Sequence, residues 1–326
     1  MPLAGIEGFV DAVQKFFSDL ASVRWSALAI ALVFFTVYLS LRARASYNIL
    51  RAAYPDEPIR FRDIWAAYFA GYGFNSVIPA RGGDVIRLFL TKTSVPHSSY
   101  PAVAASFAVE NIYDITMAVF ILTFAFSQGV FPKPPDFASL GAFDLSYFAQ
   151  HPSFALFTVT ALAVLSLAAL GIMSARMRAF WTRVKQGFTI LRDRRRYFRD
   201  VWLVQFSGWL CRFTAFWFLL EAFNIGGSVR NVLLVLGVNA VAAAVPFTPG
   251  GAGVQQALLV KVFGPDATAY SVGQQIAIAA WTFGVGFAAI GVVFRIRSFK
   301  EVIRRGREDR AQDRKLRAEA APLQPD

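Results

Sequence analysis

Residues 74–84 read Phe74-Asn75-Ser76-Val77-Ile78-Pro79-Ala80-Arg81-Gly82-Gly83-Asp84, and residues 245–254 read Val245-Pro246-Phe247-Thr248-Pro249-Gly250-Gly251-Ala252-Gly253-Val254. Each motif breaks an apolar stretch near its middle, the first at 63–94 and the second at 229–264. Proline removes a backbone donor and glycine admits turn conformations, so each stretch splits into two half-helices. Neither half reaches the ~20 residues needed to cross a hydrocarbon core ~30 Å thick. The fold class turns on how these two broken stretches sit among the unbroken ones.

The rest of the chain is built for a membrane. Of 326 residues, 56% are hydrophobic and 33 are phenylalanine, while charged residues make up 17%, against about 25% in soluble domains. One soluble core cannot hide that much apolar surface. Unbroken apolar runs at 25–41, 99–126, 153–173, 201–223 and 270–294 read as five spans. Residues 1–24 hold Glu7, Asp11, Lys15 and Asp19 between Ile6, Phe9, Val10, Val13, Phe16, Phe17 and Leu20. That pattern predicts an amphipathic helix lying at the membrane surface.

Charge sets the topology. The net charge is +12, and in so apolar a chain it points to a membrane with anionic lipids rather than to nucleic acid. Three stretches, 42–62, 174–200 and 295–326, hold 24 of the 33 lysines and arginines. The positive-inside rule puts all three in the cytoplasm, with the N-terminus outside and the C-terminus cytoplasmic. Both broken stretches then begin and end on one face, as re-entrant hairpins; the alternative is two kinked full crossings. The expected fold is an all-α polytopic membrane protein. It is an inverted repeat of about 25–126 and 201–294, joined by the 153–173 span and followed by a basic tail at 296–326. Paired broken helices in corresponding positions point to a midplane binding site.

The turns carry the candidate chemistry. A half-helix starting near Asp84 presents unpaired N–H groups and the positive end of its dipole inside the bilayer. With Arg81 and Arg87 close by, that arrangement suits a phosphate; the plainer reading is an Arg81–Asp84 pair that closes the turn. A second half-helix starts at Val254, beside Gln255 and Gln256. Candidate binding residues are therefore Asn75, Arg81, Gly82, Gly83, Asp84 and Arg87 at the first turn, and Pro249, Gly250, Gly251, Gly253 and Gln255 at the second. Asn75 and Asn239 also read as braces for the broken helices. Glu110 and Asp114, four residues apart, share a helix face within a span. They either couple an ion or lock to an arginine, with Arg81, Arg87 and Arg212 available. Trp25, Trp65, Trp181, Trp202 and Trp209 read as interfacial anchors. The single cysteine, Cys211, excludes a disulfide framework. No Walker loop, nucleophile–base arrangement or metal-ligand spacing is present, and no cofactor is expected.

Asn75, Pro79-x-Arg81-Gly82-Gly83-Asp84-x-x-Arg87, then Glu110 and Asp114, then Pro246-x-x-Pro249-Gly250-Gly251-x-Gly253-Val254 resemble the lysylphosphatidylglycerol synthase transmembrane-region family. This is the flippase-like domain that forms the membrane half of the multiple peptide resistance factor. The resemblance runs from about residue 25 to 295. It implies a bacterial inner-membrane protein that moves a lipid between leaflets, with re-entrant helices lining the cavity. The partners it implies are anionic or phosphate-bearing lipids; a homo-oligomer and a lipid-synthesis partner stay open. The chain departs from the family at Asp84, at Asn111 after Glu110, and at the neutral Gln255 and Gln256. No stretch resembles the soluble aminoacyl-transfer domain of the synthases, so a flippase or transporter is expected rather than an enzyme. A membrane-embedded lipid enzyme using Asp84, Glu110 and Asp114 as metal ligands is the alternative, and an accessory subunit is a third.

Overall fold

The computed structural model describes residues 22–78, 81–129, 180–243, 253–264 and 267–294. The predicted surface helix (residues 1–21), the 153–173 span, the 296–326 tail, and Pro79, Pro249, Gly250 and Gly251 lie outside the described residues. Those that are described are helical, without strands.

The first half holds α1 (Trp25–Ala53), α2 (Phe61–Asn75), α3 (Gly82–Ser94) and α4 (Tyr100–Ser127). The second holds α5 (Leu203–Ala222), α6 (Val229–Ala243), α7 (Val254–Phe263) and α8 (Thr268–Val293). A turn of helix at Arg194–Tyr197 and a π-type turn at Phe198–Trp202 lead into α5. Among the described residues, four helical runs are long and apolar enough to cross a membrane: 25–53, 100–125, 194–222 and 268–293. Large apolar side chains such as Val33, Phe120, Phe287 and Val292 are exposed along them, as a lipid solvent permits.

One boundary differs from the sequence reading. The first span was expected to end at residue 41, but α1 continues unbroken to Ala53. Nothing between 42 and 53 breaks a helix, and its alanines favour one. The stop comes at Tyr54, which precedes Pro55 and is therefore pushed out of the helical region. Arg42 thus sits within a long helix.

Packing follows small residues. α1 and α5 form the most extensive contact and run antiparallel. Arg24 bonds Glu221, Gly208 faces Tyr38 and Leu41, and Asn48 bonds the Asp200 carbonyl. α2 and α8 also run antiparallel. A Cβ on Gly73 would overlap Thr282, and one on Gly286 would overlap the Phe69 backbone. Such close helix approach is the usual means of association where lipid removes the hydrophobic drive. The start of α6 meets the end of α4 where Arg230 Nε donates to Gln128 Oε1 at 3.1 Å. Phe35, Leu39, Phe69, Leu219, Leu220 and Tyr270 form one buried apolar cluster spanning both halves.

Each pair of short helices closes on itself. The loop before α2 meets the loop after α3, where His97 Nδ1 lies 3.0 Å from Glu57 Oε1 and the Ser99 N–H donates to Tyr54 Oη. The loop before α6 meets the start of α8, where the Phe223 and Tyr270 rings lie 5.9 Å apart. The α2–α3 turn lies beside the middle of α8, with Phe74 and Phe283 rings 5.1 Å apart. Residues 180–201 pack against the C-terminal end of α1 through Ile190, Val201, Ile49 and Ala52.

Candidate functional site

The first half holds a connected set of charges, buried at Glu110 and partly exposed at Asp114. Arg42, on α1, grips Asp114, on α4, with Nη1–Oδ1 at 2.5 Å and Nη2–Oδ2 at 2.6 Å. The same guanidinium donates from Nε to Tyr68 Oη at 2.6 Å. Arg87, on α3, donates to Glu110 Oε1 at 2.5 Å and to Ser46 Oγ at 3.0 Å. It lies between the faces of Tyr68 and Phe107, 4.0 and 3.9 Å from their centroids. Glu110 is 2% exposed. Two ion pairs joined by Tyr68 therefore tie α1, α2, α3 and α4 together. Charges at such depth persist only when paired and hydrogen-bonded.

The sequence offered Arg81, Arg87 and Arg212 as partners for Glu110 and Asp114. Arg87 does meet Glu110, but Asp114 is met by Arg42, which sequence reasoning had grouped with the basic cytoplasmic stretch. The missed signal is the spacing of Arg42 and Ser46, four residues apart on one face of α1. Because Arg87 is committed to Glu110, it does not join Arg81 at the turn.

At the first turn, Arg81 takes a left-handed backbone conformation, φ 55°, ahead of α3. Its side chain is 72% exposed, and its Nε lies 3.2 Å from Asp84 Oδ2. Asn75 Nδ2 donates to Asp84 Oδ1 at 2.8 Å, while Asn75 Oδ1 is buried without a partner among the described residues. Gly83 is required here, since a Cβ would overlap the Gly71 carbonyl and the Asn75 N–H. The start of α3 thus presses on α2, and the turn gathers Asn75, Arg81, Gly82, Gly83 and Asp84.

The second half repeats this bracing without charge. Gln255 Nε2, on α7, donates to Asn239 Oδ1, on α6, at 2.8 Å. Gly253, at φ 85°, precedes α7, and its N–H donates to Gln256 Oε1 at 2.6 Å. Gln256 Nε2 in turn donates to Gln275 Oε1 on α8. Arg212 stands apart, its guanidinium 5.6 Å from the Tyr38 ring and 5.7 Å from the Phe216 ring. Trp209, expected as an interfacial anchor, packs against the main apolar cluster with its indole nitrogen buried.

Asp84, Glu110 and Asp114 each hold a different arginine, and no group of three His, Cys, Asp or Glu able to hold a metal ion occurs among the described residues. An apolar groove of about 440 Å³ lies between α4 and residues 180–188, walled by Leu88, Tyr100, Ala104, Ala105 and Phe188.

A helical chain whose described residues include four crossing-length helices with exposed apolar flanks and paired charges between them is a multi-pass membrane protein. The chain belongs to the family described as lysylphosphatidylglycerol synthase TM region, whose model matches residues 9–280. The family connects it with membrane lipids. No curated protein matched the sequence.

Proposed function

We propose that this protein is a flippase or transporter that moves a phosphate-bearing lipid between the leaflets of the bacterial inner membrane. The headgroup passes through the polar interior while the acyl chains stay in the bilayer, and the apolar groove beside α4 suits a chain. In this reading residues 25–295 form one domain of two inverted halves, flanked by a surface segment at 1–24 and a basic cytoplasmic tail at 296–326. The α2–α3 and α6–α7 pairs are re-entrant hairpins entering from the cytoplasmic and outer faces. The meeting of Glu57 with His97, and of Phe223 with Tyr270, supports each hairpin's return to the face it entered.

One observation carries the proposal. The first hairpin turns beside the middle of α8, and it holds an exposed Arg81 next to the glycine-rich start of α3. A helix N-terminus with an adjacent guanidinium recognises phosphate. Arg81 and the Gly82–Gly83 backbone bind the headgroup, Asn75 and Asp84 shape the turn, and Gly253 with Gln255 forms the opposite gate. Arg87, Glu110, Arg42 and Asp114 balance charge and hold the first hairpin.

The test is movement of fluorescent phospholipids in proteoliposomes, read by quenching of the outer leaflet. The wild-type chain accelerates movement, and Arg81→Ala slows it about tenfold, the effect of one charge-assisted contact. Unchanged movement of every lipid tried in Arg81→Ala removes the phosphate role.

A further inference from the structure

α5 carries a stripe of polar groups without partners. Gln205, Trp209 and Arg212 follow the i, i+4, i+7 spacing that places them on one helix face. Gln205 is 2% exposed, and neither its Nε2 nor its Oε1 has a hydrogen-bond partner among the described residues. The Trp209 Nε1 is buried and likewise unbonded. Arg212 makes no contact ion pair or hydrogen bond among the described residues; it rests on the Tyr38 and Phe216 rings and reaches Asp114, already gripped by Arg42, only at longer range.

Charge balance singles out the same residue. In the helix interiors and at the first turn, Arg42 pairs with Asp114, Arg87 with Glu110 and Arg81 with Asp84. Arg212, among the described residues, has no carboxylate in contact and shares Asp114 at longer range with Arg42. Residues 244–252, outside the described set, contain no charged side chain to offset it. An intramembrane cation normally finds an anion, and a water molecule hydrating Gln205 would not neutralise it.

Arg42 shows what such a guanidinium takes. It too lies within 6 Å of the Tyr38 ring, at 5.9 Å, and it holds the two oxygens of Asp114. Arg212 offers the same planar fork on the other helix of the α1–α5 pair, with no carboxylate. The stripe supplies a permanent cation, an indole donor and a carboxamide that donates and accepts. That set suits a bidentate oxyanion with a polar substituent rather than a cation.

We infer that the Gln205–Trp209–Arg212 face of α5 binds a phosphate oxyanion, distinct from the Arg81 turn. The inference rests on the lipid-carrying reading for its ligand class. The phosphate of a phosphodiester lipid and inorganic phosphate share this chemistry. Arg212 grips the phosphate oxygens, the Trp209 N–H adds a donor, and Gln205 meets the polar headgroup.

The experiment measures binding, not movement, in an Arg81→Ala background that removes the first candidate site. Purified protein in neutral detergent is titrated with phosphatidylglycerol, with diacylglycerol, which lacks phosphate, and with sodium phosphate, and occupancy is read by native mass spectrometry. Phosphatidylglycerol is expected to bind at least about tenfold tighter than diacylglycerol. Arg212→Gln abolishes that preference, Arg212→Lys keeps part of it, and Gln205→Leu weakens phosphatidylglycerol binding severalfold. Displacement by sodium phosphate assigns the site to the oxyanion from either source; its failure assigns the site to the lipid. Both support the inference. Equal binding of the two lipids overturns it, as does wild-type affinity in both Arg212→Gln and Gln205→Leu. Should Arg212→Gln not elute as a folded protein, Gln205→Leu and Trp209→Phe, which alter no charge, decide. A chain that binds here yet moves no lipid in vesicles contradicts the transport reading alone.

Discussion

In α1–α4 the short helix pair is held by Arg87–Glu110, braced by Arg42–Asp114 and the shared Tyr68. In α5–α8 the corresponding pair is held by Gln255–Asn239 and Gln256–Gln275. The succession of long, short, short, long helices is the same in both, but the fastening differs in kind. A buried ion pair is strongly coupled, because removing one partner strands the other charge in low dielectric. An amide pair is worth far less, and in lipid its members find substitute partners. The polar fastening of the first pair is therefore the stronger one, while the second pair is held mainly by apolar packing, with Val232, Val235 and Leu259 fully buried in the main cluster.

The strongest way to break this comparison is at Glu110. Glu110→Leu strands Arg87 and is expected to cost about 3–5 kcal/mol in denaturant unfolding in detergent. The double variant Arg87→Met, Glu110→Leu recovers most of that loss, because a buried pair replaced by apolar groups is often near neutral. A double variant as unstable as the single one contradicts the pairing. Next comes Gly83→Ala, which forces α3 away from α2 and is expected to cost about 1–3 kcal/mol. A neutral result means the two arms are not packed at Gly71 and Gly83.

Smaller effects sharpen the same point. Gln255→Ala is expected to cost about 0.5–1.5 kcal/mol, the worth of an ordinary hydrogen bond. A loss matching Glu110→Leu erases the distinction between the halves. Arg81→Ala is expected to shift stability by at most about 1 kcal/mol, as for an exposed ion pair, while lipid movement falls. A large loss of stability would make Arg81 a structural residue instead.

Much of this was legible in the chain. The broken stretches marked both short-helix pairs, and their boundaries moved by only a few residues. The alternative of Glu110 locked to an arginine was stated, and Arg87 fills it. The pairing of Arg42 with Asp114 was not legible, because charge clustering along the sequence does not say which neighbouring helix an arginine faces. Of the two roles the sequence offered Arg87, neighbour of Arg81 at the turn and partner of Glu110, the structure shows the second. Proximity in sequence sets neighbours along a helix, but a guanidinium on a long stem goes to the buried carboxylate, here Glu110 across on α4. The spacing of Gln205, Trp209 and Arg212 could be read directly; that all three lack partners could not.

The most direct test of the two-half arrangement is the sidedness of its loops. In a Cys211→Ala background, single cysteines replace Glu57, His97, Asn224 and Thr268, and each is probed with a membrane-impermeant maleimide from either face. The account predicts labelling of Glu57→Cys and His97→Cys from one face, and of Asn224→Cys and Thr268→Cys from the other. Labelling of Glu57→Cys and His97→Cys from opposite faces would mean that α2 and α3 together cross the membrane, and the arrangement of two hairpins entering from opposite sides would be wrong.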